Sequence, residues 1–266
     1  MPRILTSFIL LLGLYASGQD CTLFQNNVQF VDCGEGLTLS PNHIVNGHSM
    51  HLNGTTAYLH CTETDELDMV DEDFSLSVWI KPGSNVGRQN IICDPSSTWA
   101  SHGAYTLYLE DGFLRFTIRF SEGSPWSRHL ITVPVALDTW QHVVAVGDRH
   151  AGEMRLYLDG SLVGSMDWNG VMYKDTALPM LIGVQYKEDW PGKYFAFFQG
   201  ELDDIMIIDR VLEPSEIEAL ALCPGTIMND EHLRTYWDFE EGNGQWTMDE
   251  TGTQPQRLIL LNSAFW

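Results

Sequence analysis

Positive charge is scarce in this chain. Fourteen Lys and Arg stand against 36 Asp and Glu, a formal net charge of −22 over 266 residues. Such a balance repels phosphate backbones and anionic headgroups, so nucleic acid and anionic membrane surfaces are excluded as partners. Helical periodicity is almost absent, and with no crossover helices a doubly wound α/β fold is excluded too. Cysteines are few and scattered, at Cys21, Cys33, Cys61, Cys93 and Cys223. No Cys-x-x-Cys or close Cys/His pair occurs, which removes the usual zinc ligand spacing. Gly-x-Ser-x-Gly, His-Glu-x-x-His and a glycine-rich phosphate loop are all missing.

Long apolar runs are missing as well, save one at the start. "MPRILTSFILLLGLYASGQDC" has an early Arg3, an apolar stretch from Ile9 to Leu14, and small residues Ala16 and Gly18 ahead of Gln19. It reads as a secretory signal peptide over residues 1–18. The expected location is therefore secreted and extracellular, without membrane insertion. All five cysteines then fall in an oxidising compartment where disulfides persist, and their odd number leaves at least one outside an internal pair.

What remains is a succession of short β-type runs. "FSLSVWIKPG" alternates Phe74, Leu76, Val78 and Ile80 against Ser75, Ser77, Trp79 and Lys81, and stops at Pro82-Gly83. Two longer runs break at Asp111-Gly112 and at Asp159-Gly160, the signature of tight hairpins whose glycines supply positive φ. "LEPSEIEALAL" is the one good helix, with Pro214 in its first turn and Leu212, Ile217 and Leu220 able to face inward. Trp79 and Trp140 sit inside strands and read as core. The fold class is all-β, two packed antiparallel sheets or a barrel.

The order of "MHLNGTTAYLHC", "DFSLSVWIKPG", "TWQHVVAVGD", "GEMRLYLDGSLVGS", "LIGVQY" and "FQGELDDIMIIDRVLEPSEIEAL" resembles that of laminin-G-like domains of the concanavalin A-like lectin/glucanase superfamily. The resemblance covers about residues 45 to 220 and implies a jelly-roll β-sandwich over residues 19–222. Some members carry a structural calcium ion. By that likeness the Asp203 carboxylate and the Gly54 carbonyl are expected to hold calcium, while Asp204 should point away into solvent. Other members hydrolyse glucans with spaced carboxylates. "ELDDIM" offers Glu201 and Asp203, but Ile205 and Met206 stand where a second Glu is needed, and "ETDELD" from Glu63 to Asp68 lacks a strand pattern.

The expected function is recognition of glycans or of matrix or cell-surface proteins, without catalysis. A displaced-carboxylate glycoside hydrolase and a purely structural matrix component are the alternatives. Trp99, Trp126, Trp168 and Trp190 lie in turn-rich stretches where an indole could stack on a sugar or staple a loop. Asn53-Gly54-Thr55 is an N-glycosylation sequon at Asn53. A Cys61–Cys93 disulfide is expected, since each cysteine ends a strand in the same region. The tail, residues 223–266, has Trp237, Phe239, Gly242, Gly244 and "RLILLN" in the order of a domain opening, fainter at Phe30 to Gly36. It is expected to begin a second module, or else to add a pair of edge strands.

Overall fold

A computed structural model describes residues 13–16, 19–23, 31–32, 38–39, 44–45, 48–61, 67, 69, 72–94, 104–119, 128–168, 170–172, 179–187, 191–222, 224–251 and 257–261. Short strands before residue 46 form two small sheets of their own. From Met50 onward the chain builds two large sheets. One is seven-stranded and contains β1 (Met50–Asn53), β3 (Phe74–Pro82), β8 (Gln141–Asp148), β9 (Glu153–Leu158), β10 (Ser161–Asp167), β14 (Gln199–Ile208) and β15 (Leu233–Trp237). The other is eight-stranded, from β2 (Tyr58–Cys61), β4 (Arg88–Cys93), β5 (Tyr105–Glu110), β6 (Phe113–Arg119), β7 (Arg128–Pro134), β11 (Leu181–Ile182), β16 (Trp246–Met248) and β17 (Arg257–Leu261). A two-stranded ribbon, β12 (Gln185–Tyr186) and β13 (Tyr194–Phe195), lies apart from both. Every pairing among the described residues is antiparallel, and the β-sandwich inferred from the strand pattern is the architecture found.

Alternation explains the layering. Phe74, Leu76, Val78 and Ile80 of β3 join Val143 and Ala145 of β8 and Leu202, Ile205 and Ile207 of β14 in the core between the sheets. Asp111 and Asp159 have φ of 52° and 49°, and the glycines after them 84° and 76°, so both hairpins close through two left-handed residues. Helix α1 (Pro214–Leu220) covers the outer face of the seven-stranded sheet, where Leu212, Ile217 and Leu220 meet Val144, Val146 and Met206. Trp79 and Trp140 are buried as expected, but on that outer face and not in the main core. Among the described residues, no helix is long and apolar enough to cross a membrane.

Two expectations are corrected here. The tail does not begin a second module: β15 pairs with β14, β17 pairs with β2, and Trp237, Phe239 and Leu258 are fully buried in the core of the sandwich. Its apolar residues complete both sheets, the edge-strand alternative. Nor are Cys61 and Cys93 joined. Leu181 of β11 pairs with both Cys93 and His60, so one strand separates the two cysteines. That puts their Cα atoms about 9–10 Å apart, beyond disulfide reach, and on opposite faces of the sheet. Cys61 faces the core, while Cys93 Sγ lies 3.8 Å from Thr106 Oγ1.

Candidate functional site

The acidic pair at the head of β14 is not where the sequence placed it. A bulge between Asp203 and Met206 turns Asp204 to a φ of 48°, and both aspartates are buried, at 1% and 3% exposure. Asp204 is therefore not a solvated surface charge. Its backbone N–H donates to Asp203 Oδ1 at 2.9 Å, and the Tyr236 hydroxyl donates to Asp204 Oδ1 at 2.5 Å. Asp238 and Glu240 of the tail lie nearby, and Glu240 also accepts from the His48 backbone N–H at 3.4 Å. Burial first, then the Asp204 charge, raises the Asp203 carboxyl well above the usual carboxylate range. Burial pushes Asp204 up to about 8, even though the Tyr236 hydrogen bond pulls the other way. Tyr236 is itself raised, by burial and then by the Asp204 charge.

The expected calcium pair does not converge. The Gly54 N–H donates to the Phe198 carbonyl at 2.9 Å, which puts Gly54 five residues from Asp203 along β14. At about 3.3 Å per residue that is roughly 16 Å. Among the described residues, no group of three or more His, Cys, Asp or Glu is placed to hold a metal ion. The residues named by resemblance thus do not fit a shared site.

Gly54 instead helps form a cleft of about 390 Å³ at one end of the sandwich. Its wall on one side is the β1–β2 turn. Asn53 organises that turn: Oδ1 accepts the backbone N–H groups of Thr55, Thr56 and Ala57 at 2.9–3.0 Å, and Nδ2 donates to Thr56 Oγ1 at 3.0 Å. The sequon nitrogen is thereby part of the turn's own bonding. Gly54 has a φ of +74°, and a Cβ there would meet Gln199 Cβ at 2.8 Å, so only glycine fits beside β14.

The floor comes from the β3–β4 connection and the start of β4. Gln89, 4% exposed, donates Nε2 to the carbonyls of Ser84 and Val86 and accepts the Gln199 N–H on Oε1 at 2.9 Å. Arg88 also lines the cleft, its guanidinium 4.0 Å over the Tyr108 ring. The opposite wall is the segment "YFAFF", Tyr194 to Phe198. The Phe198 N–H donates to the Gly183 carbonyl and the Asn90 N–H to the Ala196 carbonyl, at 2.9 and 2.8 Å, which draws this segment over the sheet. Ala196 takes a φ of 54° to make the bend, backbone strain of the kind found where a site is shaped. Tyr194 stacks on Tyr58 at 4.8 Å and meets Tyr186 edge-on at 5.3 Å. Burial, then the hydrogen bond with Tyr194, pushes Tyr58 up to about 12.

Chemically, this is an aromatic-edged cleft with fixed amides and one guanidinium. None of its described lining residues is a carboxylate. Glu201 lies elsewhere, bound to Lys81 Nζ at 2.9 Å and Ser49 Oγ at 3.0 Å. Of the tryptophans expected to bind ligand, Trp99, Trp126 and Trp190 lie outside the described residues. Trp168 is 1% exposed and packs edge-on to Phe74 at 6.1 Å, so it staples its loop to the core. The aromatics the sequence reading missed are Tyr194, Phe195 and Phe197. Their signal was present: a run of aromatics directly after the turn Pro191-Gly192.

The pattern of the laminin-G-like, concanavalin A-like lectin/glucanase superfamily matches residues 53–218. Similar solved structures include a candidate carbohydrate-binding protein of Bacteroides ovatus, 14% identical, with a TM-score of 0.59 over 82% of this chain. The match spans 61% of that protein's length. The carbohydrate-binding module CBM40 of the Ruminococcus gnavus IT-sialidase, bound to α2,3-sialyllactose, is 13% identical, with a TM-score of 0.54 over 65% of this chain and 96% of the module. No curated protein matches the chain in sequence.

Proposed function

The chain belongs to the concanavalin A-like lectin/glucanase superfamily, and on that premise we propose that it is a non-catalytic carbohydrate-binding module acting outside the cell. The ligand sits in the cleft between the Asn53 turn and Tyr194–Phe197. One observation carries the reading: an exposed tyrosine ring, 37% accessible and held against Tyr58, borders a cleft with fixed polar groups and without carboxylates among its described lining residues. A sugar presents one apolar face and a rim of hydroxyls. A flat aromatic with oriented amides beside it matches both.

The fold shared with a sialyllactose-binding module is consistent with this reading but does not name the ligand. Export rests on the apolar leader, and mass analysis of the mature chain from a secreting host tests it. The binding test is a glycan array with wild type and Tyr194→Ala. Wild type should retain a defined glycan set, and the variant should lose about tenfold in affinity, the scale of one stacking contact. Equal binding by both proteins would move the site elsewhere on the molecule.

A further inference from the structure

Exposed apolar side chains continue outward from the rim of the cleft. Val86, on the β3–β4 turn that lines it, is 77% exposed. The turn is pinned in place. The Val86 N–H donates to Ser84 Oγ at 3.3 Å, Gln89 Nε2 holds the Ser84 and Val86 carbonyls, and the Gly87 N–H donates to Asp111 Oδ1 at 3.0 Å. Asp111 returns its own N–H to the Gly87 carbonyl at 3.2 Å, which locks the turn to the β5–β6 hairpin. Phe113, just past that hairpin's tip, is 43% exposed. The Val135 N–H donates to the Gly112 carbonyl at 3.2 Å and brings in the β7–β8 loop with the exposed Leu137. Strand register gives the same order. Arg88 at the cleft stands opposite Glu110, Glu110 opposite Phe113, and Phe113 opposite Pro134. Opposed residues of antiparallel strands share a face, so Phe113 lies two strands, about 10 Å, from the cleft.

Polar groups interleave with this strip. Glu110 pairs with Arg115 between the cleft and Phe113, and Asn85, Asp111 and Asp138 are exposed around it. Exposed apolar groups rimmed by polar ones mark a surface that meets something. A wholly apolar partner would desolvate these charges without replacing their hydrogen bonds. A sugar chain replaces them, because each ring offers an apolar face to Phe113 while its hydroxyls donate to carboxylates and amides. Resting on the glycan reading above, we infer that the site continues from the cleft across Val86 to Phe113 and binds a neutral oligosaccharide along its length, one ring at Tyr194 and another at Phe113. Neutrality follows from charge, since Asp111 and Asp138, in a chain of −22, disfavour an anionic polymer. A single terminal sugar would leave Phe113 untouched.

The experiment is titration calorimetry of the full chain with glucose, mannose and N-acetylglucosamine, their linear β1,4-linked oligomers of increasing length, and any glycan retained on the array with its truncated forms. The proteins are wild type, Phe113→Ala, Phe113→Tyr and Tyr194→Ala. In at least one series the affinity of wild type should rise about tenfold from the disaccharide to longer oligomers and then level off, the scale of one stacking contact. Phe113→Ala should remove that gain and leave the disaccharide unchanged, Phe113→Tyr should keep it, and Tyr194→Ala should weaken every length. Should Phe113→Ala fail to fold, Val86→Ser carries the test by losing part of the same gain. Affinity that rises with length in no series that binds, or a gain that persists in Phe113→Ala, overturns the inference and leaves the glycan reading standing. Self-association of wild type that Phe113→Ala abolishes would assign the strip to a second copy of the chain and overturn it too. No binding of any saccharide overturns both.

Discussion

The Tyr236 hydroxyl donates to Asp204 Oδ1 at 2.5 Å, across the seam where the tail strand β15 joins β14. Both groups are buried, so the bond ties the C-terminal segment to the sheet at its least hydrated point. Removing it with Tyr236→Phe should cost about 1–2 kcal/mol at pH 6, read by chemical denaturation. An unchanged midpoint would mean that the seam is held by apolar packing alone.

The same seam sets a pH dependence. Asp204 titrates near 4 when unfolded and about 8 when folded, so the native state binds the extra proton between those values. Its contribution is complete below about pH 4 and is lost as pH rises toward 8. His142 acts in the opposite sense. Burial depresses it from 6.5 to about 3, so its contribution is present above pH 6.5 and is lost as pH falls toward 3. Thermal midpoints should therefore peak at mildly acidic pH, and Asp204→Asn should flatten the alkaline limb. A midpoint that climbs steadily from pH 5 to 8 in wild type would contradict the assignment.

The tail is load-sharing, not appended. Leu258 of β17 is fully buried against the core, and Leu258→Ala should destabilise by about 2–5 kcal/mol. Limited proteolysis between Cys223 and Trp237 should be slow in wild type and faster in the variant. Rapid cutting that leaves a core with the original midpoint would instead mark the tail as separable.

Asn53 organises the cleft wall through its side chain. Asn53→Ala leaves three turn amides without their acceptor and should cost about 1–2 kcal/mol while weakening saccharide binding. Asn53→Asp keeps the oxygen and should restore most of the stability. If Ala and Asp behave alike, the turn does not depend on that oxygen.

Much of the fold could be read from the chain because its signals were local. Alternation in "FSLSVWIKPG" marked β3 and its core face, and Asp-Gly at 111 and 159 marked two hairpins with their positive φ values. Pro214 with Ile217 and Leu220 marked the helix. The failures share a different cause, dependence on which strands become neighbours. Cys61 and Cys93 end strands of one sheet, yet β11 comes between them from about ninety residues farther along the chain. Gly54 follows β1 and Asp203 lies in its partner β14, but the antiparallel register, with Asn53 opposite Gln199 and Met50 opposite Leu202, sets them at opposite ends. A single bulge turned Asp204 from an expected surface charge into a buried one. The cleft itself was only half legible: Gly54 was singled out, but for a metal, while the tyrosine and phenylalanines facing it were passed over for tryptophans.

The central claim is that saccharides bind between the Asn53 turn and the Tyr194 segment. The most direct measurement is a saccharide titration of isotope-labelled protein, following backbone amide shifts with a glycan selected on the array. The account predicts saturable shifts concentrated at Gly54, Ser84, Gln89 and Tyr194 to Gln199, with little change at Asp203, Asp204 and Tyr236. Shifts that saturate around Asp203 and Asp204, or at Trp99 and Trp126 and their sequence neighbours, while Gly54 and Tyr194 stay still, would contradict it.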